Sequence, residues 1–212
     1  MPTNSLTPEA IAKLLQPYIG AAAVPPEIYR QLASYLQLIL KWTSRLNLTS
    51  IRKPEEIVQR HFGESLFAGL HLGPCDSLLD LGSGAGFPGI PIQLLRPELP
   101  VTLAESRTRK AAFLREAIRT LNLKTEVWAH RAEAMPENQR LHTVALRAVD
   151  EMDSAVAEAA RRAEEKILIL GTRDARYPTL TNRFQLEKPI PLPNSSEGVL
   201  WIAQRVRSGA AL

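Results

Sequence analysis

Apolar residues follow a helical period over about the first seventy residues of the chain. Three helices are predicted there, beginning at Thr7-Pro8-Glu9, at Pro25-Pro26 and at Pro54-Glu55-Glu56. Proline suits the first turn of a helix because its missing N–H would have no partner there. The second helix, which Asn47-Leu48-Thr49 ends, presents one apolar face: Ile28, Leu32, Tyr35, Leu36, Ile39, Trp42 and Leu46. Residues 1–72 are therefore expected to form a helical N-terminal cap with little strand character.

From Ser77 onward the pattern changes to short apolar runs that alternate with helical segments. Strands are predicted at 77–81, 101–105, 125–130, 143–146 and 166–170. Helices are predicted at 90–95 and at 150–163, and another is predicted to follow Ser106, which can cap it. Two more strands, at 183–188 and 199–207, are joined by a proline-rich loop without a helix and should pair as an antiparallel hairpin. We predict an α/β fold, Rossmann-like, with a mostly parallel sheet over residues 73–212.

The stretch from Asp80 to Gly89 is the most informative part of the chain. A buried strand ends in a carboxylate and runs into four glycines within eight residues, and a helix follows near Pro88. Glycine tolerates positive φ and lets a ligand approach the backbone, and a helix N-terminus offers free amide hydrogens. The stretch predicts a nucleotide-type cofactor site.

Two cofactors compete for this loop. Gly84-x-Gly86-x-x-Gly89 with Glu105 fits a dinucleotide, whereas Asp80-x-Gly82-x-Gly84-x-Gly86 is typical of S-adenosylmethionine (SAM) sites. Asp80 favours SAM, because its carboxylate would repel a pyrophosphate but attract an ammonium and a sulfonium. Glu105 fits both, since both cofactors present a ribose diol. The closing hairpin and the roughly 40 residues left after the fifth strand favour a class I methyltransferase over an oxidoreductase, which usually adds a substrate domain.

Composition narrows the class of protein further. The 212 residues, 45% of them hydrophobic, suffice for one full core, and the net charge of +4 is compatible with a polyanionic partner. No apolar run approaches the roughly 20 residues of a membrane helix, and no signal pattern opens the chain. The single cysteine, Cys75, has no partner for a disulfide or a metal. We expect a cytoplasmic monomer with no metal site and no membrane contact.

Several motifs occur in an order that resembles one known family. They are Asn47-Leu48-Thr49, His61-Phe62-Gly63-Glu64-Ser65-Leu66, the Asp80 to Gly89 loop, Glu105-Ser106-x-x-Arg109-Lys110-x-x-Phe113-Leu114, Arg131-Ala132-Glu133 and Arg147-Ala148-Val149. Over about residues 35–171 the sequence is similar to ribosomal RNA small subunit methyltransferase G, also called glucose-inhibited division protein B. The resemblance implies a SAM-dependent enzyme that methylates N7 of a guanine in small-subunit (16S) rRNA or in a ribosomal subunit precursor.

The resemblance also assigns site residues. It implies that Gly82 and Phe87 line the cofactor site and that Ala132 and Glu133 hold the adenosine end. The glycine loop and the strand after it add Asp80, Gly84 and Glu105. The predicted cofactor-binding residues are therefore Asp80, Gly82, Gly84, Phe87, Glu105, Ala132, Glu133 and Arg147. Glu133 can accept the hydrogens of the adenine amine, although capping of a helix explains it as well.

Arg147 is the predicted catalytic residue, and the resemblance implies that it reaches the cofactor or the target base. It follows the fourth strand, at the carboxyl edge where substrates meet such sheets. Guanine N7 has a lone pair and no proton to lose, so its methylation needs alignment more than a base. Arginine can donate to guanine O6 or N7 or stack on the ring. A surface ion pair with Asp150 or Glu151 is the alternative.

Three features leave the activity open. Positive charge concentrates after the second strand, which suits RNA phosphates or merely a solvated helix face: Arg107, Arg109, Lys110, Arg115 and Arg119. His61 is expected to be structural. The chain departs from the family pattern at Glu64, at Leu146 and at 171–174, where the family has aspartate, serine and a glycine-rich end with lysine. A non-catalytic RNA-binding protein and an NAD(P)-dependent oxidoreductase remain alternatives.

Overall fold

The computed structural model describes residues 6–43, 46–148, 151–177, 180 and 183–206. Three predicted features lie partly outside these ranges. They are the first residues of the helical cap, the start of the 150–163 helix with the ion-pair candidate Asp150, and the end of the last strand at 207.

The first two predicted helices are confirmed. Helix α1 spans Pro8–Ile19, and the Thr7 hydroxyl accepts a hydrogen bond from the Ala10 N–H at 3.2 Å as the predicted cap. Helix α2 spans Pro26–Thr43, so it ends before Asn47-Leu48-Thr49. Its predicted apolar face is buried at Ile28, Leu32, Tyr35, Leu36 and Ile39, and Trp42 is half-buried.

The third predicted helix is composite. It starts as α3 (Pro54–Glu56), continues as a π-helical segment (Ile57–Gly63) and ends as α4 (Glu64–Leu70). π-helical turns are rare and are frequent at functional sites. The predicted helix from Pro54 through His61 towards Leu70 is confirmed, while the π-helical form of its middle, which carries His61, was not predicted.

Within the described ranges the sheet has eight strands: β1 (Leu78–Leu81), β2 (Val101–Ala104), β3 (Glu126–Trp128), β4 (Leu141–Arg147), β5 (Ala163–Thr172), β6 (Phe184–Leu186), β7 (Ile190–Pro191) and β8 (Gly198–Arg205). Its order is β3-β2-β1-β4-β5-β8-β6, with β7 also paired to β8. Strands β1 to β5 run parallel, and β8 lies antiparallel between β5 and β6. The predicted parallel sheet with a closing antiparallel hairpin is confirmed, while the two-residue β7 was not predicted.

Helices cover both faces of this sheet. Helices α5 (Gly89–Leu95) and α6 (Thr108–Leu121) share one buried cluster with α1 and α2, whereas α7 (Met152–Arg162) packs in a second cluster. Successive residues of β1 alternate between the clusters, with Leu78 in the first and Leu79 in the second. Ser106 does not cap α6, because Arg107 occupies the N-cap position, where its side chain makes no capping hydrogen bond. The boundary predicted between residues 72 and 73 stays a prediction.

Strand order places the candidate site. The chain moves outward from β1 to β2 and β3, then returns to the other side of β1 with β4. Ligands of open α/β sheets bind at such a switch point, beyond the carboxyl ends of the strands. No helix in the described part of the chain is long and apolar enough to cross a membrane.

Candidate functional site

A cavity of about 280 Å³ opens at the carboxyl ends of β1 and β2. Four of the predicted cofactor-binding residues line it: Gly82, Glu105, Ala132 and Glu133. Ala132 and Glu133 belong to a single 3₁₀ turn (Ala132–Ala134) just past β3, and Glu133 is exposed at the rim. The structure thus brings together residues that three separate strands deliver to one edge of the sheet.

The glycine loop owes its course to positive φ angles. Gly82, Gly84 and Gly86 have φ of 74°, 57° and 90°, values that an L-residue adopts only with strain. At Gly86 a Cβ would also lie 2.6 Å from the hydroxyl of Tyr35, whose O–H donates to the carbonyl of Ala85. The loop is therefore held against α2 by its own backbone while Gly82 faces the cavity.

Glu105 is bonded at both oxygens. Oε2 accepts from the N–H of Gly84 at 3.0 Å and Oε1 accepts from the N–H of Arg107 at 2.7 Å. The side chain is buried at the cavity wall. A carboxylate has more lone pairs than these two bonds use, so it can still accept from a ligand.

Asp80 lies beneath the loop and is fully buried. Its Oδ2 accepts from the N–H of Gly89 at 2.9 Å, and its Oδ1 has no partner among the described residues. Burial raises the pKa of this carboxyl from its ordinary 3.8 to about 7. Because Asp80 lines neither cavity, its charge would act on a positively charged ligand group through space and not by direct contact.

A second cavity, of about 440 Å³, adjoins the first. Ala148, with a φ of 46°, lines both of them, directly after the end of β4. The second cavity is also lined by Arg60, Glu64 and Arg147 on one side and by residues 195–198 on another. Two ligands that occupy the two cavities would therefore both contact Ala148.

Arg147 faces the second cavity and is 12% exposed. Its Nη2 donates to Glu64 Oε2 at 2.7 Å and to the carbonyl of Arg60 at 2.9 Å, and its Nη1 donates to His61 Nδ1 at 2.6 Å. Burial lowers the pKa of the guanidinium, which still keeps its charge. Among the described residues the ion-pair partner is thus Glu64 and not Glu151, while the other suggested partner, Asp150, lies outside the described residues.

His61 connects Arg147 with the glycine loop. Its ring stacks on Phe87 with 4.7 Å between centroids, and its Nε2 lies 2.7 Å from Thr49 Oγ1. Burial lowers the pKa of His61 to about 3, so the ring is neutral. Phe87, predicted to line the cofactor site, is buried between His61, Phe62 and Tyr35. The sequence singled out the motifs of Thr49 and His61 but did not connect them to Arg147.

The basic residues predicted for RNA contact line different cavities. Arg107 and Lys110 line the first cavity, Arg109 lies near Trp42, and Arg115 and Arg119 line a separate cavity with Asn122. Among the described residues no group of histidine, cysteine, aspartate and glutamate has the arrangement of a metal site.

Known sequences and structures resemble this chain. A family described as rRNA small subunit methyltransferase G matches residues 28–187. A ribosomal RNA small subunit methyltransferase G of Dichelobacter nodosus is 36% identical over 188 residues, which cover 86% of this chain and 89% of that protein. The enzyme of the same name from Nitrosomonas europaea is 45% identical over 125 residues, 58% of each chain.

Solved structures with low sequence identity share the fold. A mutant of MtNAS in complex with S-adenosylmethionine has a TM-score of 0.60 at 10% identity, covering 93% of this chain and 78% of that one. A candidate RNA methyltransferase from Pyrococcus horikoshii has a TM-score of 0.55 at 14% identity, covering 81% and 99%. The family matches residues 28–187, and the D. nodosus relative aligns with this chain over most of its own length. Because the fold agrees with both, this chain belongs to the rRNA small subunit methyltransferase G family and is a methyltransferase.

Proposed function

We propose that this methyltransferase moves a methyl group from SAM to N7 of a guanine in small-subunit (16S) rRNA. The observation that carries the proposal is the pair of cavities that adjoin at Ala148, one beside the glycine loop and one beside Arg147. A donor in the first cavity and an acceptor base in the second would meet where the two join. Methyl transfer requires that contact and little more.

The residues of the first cavity fit SAM. Gly82 gives backbone that a ligand can approach, Glu105 faces a ribose diol, and Ala132 and Glu133 lie where an adenine edge would sit. Asp80 and its unpartnered Oδ1 supply negative charge under the loop for an ammonium group. When bound, SAM supplies an activated methyl group on a positively charged sulfur. The D. nodosus relative and the SAM-bound MtNAS neighbour agree with this choice.

Arg147 would orient the guanine. The N7 lone pair forms the new bond to the methyl carbon while the sulfur–carbon bond breaks, and no proton has to leave. Because the N7 lone pair is used in this bond, Arg147 has to act on O6 or on the face of the ring rather than on N7. Three of its contacts are already made with Glu64, His61 and the Arg60 carbonyl, which leaves its remaining donors and its planar face for the base.

Glu64 balances charge during this step. The positive charge of the sulfonium ends on the methylated guanine, next to the guanidinium of Arg147. Two cations in a partly buried site repel each other, and the Glu64 carboxylate, 5% exposed and 2.7 Å from Arg147, offsets one of them. The longer side chain at position 64 still reaches both Arg60 and Arg147.

The experiment is methyl incorporation into rRNA. Small subunits and free 16S rRNA from a strain that lacks this gene are incubated with SAM labelled in its methyl group, and the modified base is mapped by chemical cleavage at 7-methylguanine. We expect label at one guanine N7 with the wild-type protein and, at the same early time, about tenfold less label or lower with Arg147→Ala. RNA binding without label would favour the non-catalytic alternative, and binding of NAD in place of SAM would favour an oxidoreductase.

We also propose that the enzyme acts as a monomer in the cytoplasm, on rRNA or on a subunit precursor. Comparing label in free rRNA with label in assembled subunits identifies the substrate. Sedimentation of the purified protein tests the monomer, and a concentration-dependent dimer would contradict it.

A further inference from the structure

One partly buried hydrogen-bonded chain joins three distant parts of the sequence. It runs from Thr49, in the loop after α2, through His61 in the π-helical segment to Arg147 at the end of β4. The proposed methyl-transfer step uses only the last of these residues. Thr49 and His61 have no role in that step.

The contacts determine which nitrogen of His61 carries the proton. Arg147 has only donors, so Nδ1, at 2.6 Å from its Nη1, must be the acceptor and bears no hydrogen. The neutral ring then carries its proton on Nε2 and donates it to Thr49 Oγ1 at 2.7 Å. Thr49 Oγ1 also accepts from the N–H of Ile51 at 3.2 Å, which holds the hydroxyl in place.

Packing fixes the plane of the same ring. His61 lies nearly parallel to Phe87, with 19° between the planes, and Phe87 belongs to the glycine loop. The contact of Nε2 with Thr49 Oγ1 at 2.7 Å sets the rotation of the ring within that plane. His61 is therefore oriented by Phe87 on its face and by Thr49 at its edge.

We propose that His61, oriented by Thr49, is a positioning residue that aims the Arg147 guanidinium into the second cavity. The inference rests on the proposed function, since it assigns these residues to the alignment of the acceptor base. Glu64 supplies the charge that Arg147 needs, whereas His61 supplies direction. Through Phe87, the same imidazole ties the guanidinium to the glycine loop of the first cavity.

Substitutions at position 61 distinguish the hydrogen bond that orients Arg147 from the packing of the His61 ring. The amide oxygen of His61→Asn can take the place of Nδ1 and accept from Arg147, whereas the amide of His61→Gln reaches the place of Nε2 and serves Thr49 only. We expect His61→Gln and His61→Phe to lower the single-turnover rate by about tenfold or more, with His61→Asn within about threefold of wild type. SAM affinity should stay unchanged in all three. The exposed His71, bonded to its own helix at Phe67, gives the control His71→Gln with full rate.

Position 49 gives the second half of the test. Thr49→Ser keeps the acceptor hydroxyl and should keep the rate, and Thr49→Val keeps the shape without it and should be slow. If His61→Gln is as fast as wild type, or His61→Asn as slow as His61→Phe while binding SAM normally, the proposal is wrong.

A spectroscopic measurement keeps this result separate from the enzyme's activity. In protein labelled with ¹⁵N histidine, the His61 ring should show an unprotonated Nδ1 and a protonated Nε2. The control variant His71→Gln, whose substitution does not touch Arg147, should show the same His61 signals. A protonated Nδ1 would overturn the proposal even if methylation is normal. Absence of methylation by the wild type with the expected tautomer would instead contradict the proposed function alone.

Discussion

The carboxylate of Glu105 accepts the N–H of Gly84 at 3.0 Å and so ties the end of β2 to the loop that follows β1. Its other oxygen accepts from Arg107 at 2.7 Å, at the start of α6. A residue expected to bind a ribose thus also shapes the loop that would hold the rest of the cofactor. The loop is consequently built before any ligand arrives, which limits the ordering cost of binding.

The first prediction tests the backbone of that loop. Gly82→Ala should reduce SAM affinity by about tenfold or more, because a side chain would enter the space beside the cavity wall and φ is 74°. Gly20→Ala is the matched control, since Gly20 also has positive φ, at 55°, but a Cβ at Gly20 would have nothing within 4 Å. Both variants should lose about 1–3 kcal/mol of stability because of their positive φ, and only Gly82→Ala should lose binding by calorimetry. Equal SAM affinities would remove Gly82 from the site.

The second prediction concerns the pH dependence of stability at Asp80. The folded pKa of about 7 exceeds the ordinary value of 3.8, so between them the folded protein holds a proton that the unfolded chain has lost. The contribution of Asp80 to stability is thus largest below the ordinary pKa and declines as pH rises through 7. Denaturant unfolding should therefore show the stability of Asp80→Asn rising relative to that of wild type between about pH 4 and about pH 7, with no further change above about pH 8.

Saturating SAM should reverse part of that trend. A cationic ligand near Asp80 favours its charged form, so calorimetry in buffers of different ionisation enthalpy should show a proton released near about pH 6.5 by wild type beyond that released by Asp80→Asn. Identical proton release in the two proteins would mean that Asp80 does not sense the cofactor.

The third prediction concerns the chemical step. Arg147→Lys keeps the charge but cannot serve three acceptors with one planar group, so the single-turnover rate should fall by about tenfold or more. Arg147→Ala should cost at least as much, and neither should alter SAM affinity. Between about pH 6 and about pH 9 the wild-type rate should show no essential base, because N7 has no proton to lose. Loss of SAM binding in both variants would place Arg147 on the cofactor.

The fourth prediction concerns the stability of the Glu64–Arg147 pair. Glu64→Ala should lower the free energy of unfolding by about 3 kcal/mol, because it leaves a nearly buried guanidinium without its carboxylate. Arg147→Met with Glu64→Ala should lose less than the sum of the single variants, since neither charge is then left alone. Urea unfolding of the four proteins gives the coupling energy. Simple additivity would show that the pair contributes little.

The fifth prediction separates RNA contact from cofactor contact on α6. Arg109→Ala should flatten the dependence of RNA affinity on salt, since each lost phosphate contact lowers the slope by about 1, and should leave SAM affinity unchanged. Lys110→Ala should also weaken SAM binding, because Lys110 lines the first cavity. The exposed Lys124, paired with Glu98 beyond the other end of α6, gives the control Lys124→Ala. An unchanged slope in Arg109→Ala would move the RNA surface elsewhere.

Local pattern was enough to predict the framework. The apolar runs of β1 to β5, the helical face of α2 and the glycine loop all depend on residues close in sequence, whose spacing reports burial and backbone conformation directly. The parallel direction of the first five strands was predicted from the alternation of strands and helices. The antiparallel hairpin was predicted from a connection without a helix. Four predicted cofactor residues share one cavity for the same reason, because parallel strands deliver their ends to one edge.

Tertiary packing alone decided how the acceptor side is built. The sequence could not indicate that Arg147 pairs with Glu64, that His61 accepts from it across 86 residues, or that Phe87 stacks on that histidine. The sequence analysis also missed the π-helical segment. The pattern of apolar residues does not distinguish α-helical from π-helical hydrogen bonding in a segment of seven residues with one buried side. Such contacts join segments whose distance depends on how the helical cap packs against the sheet, so only the folded chain specifies them.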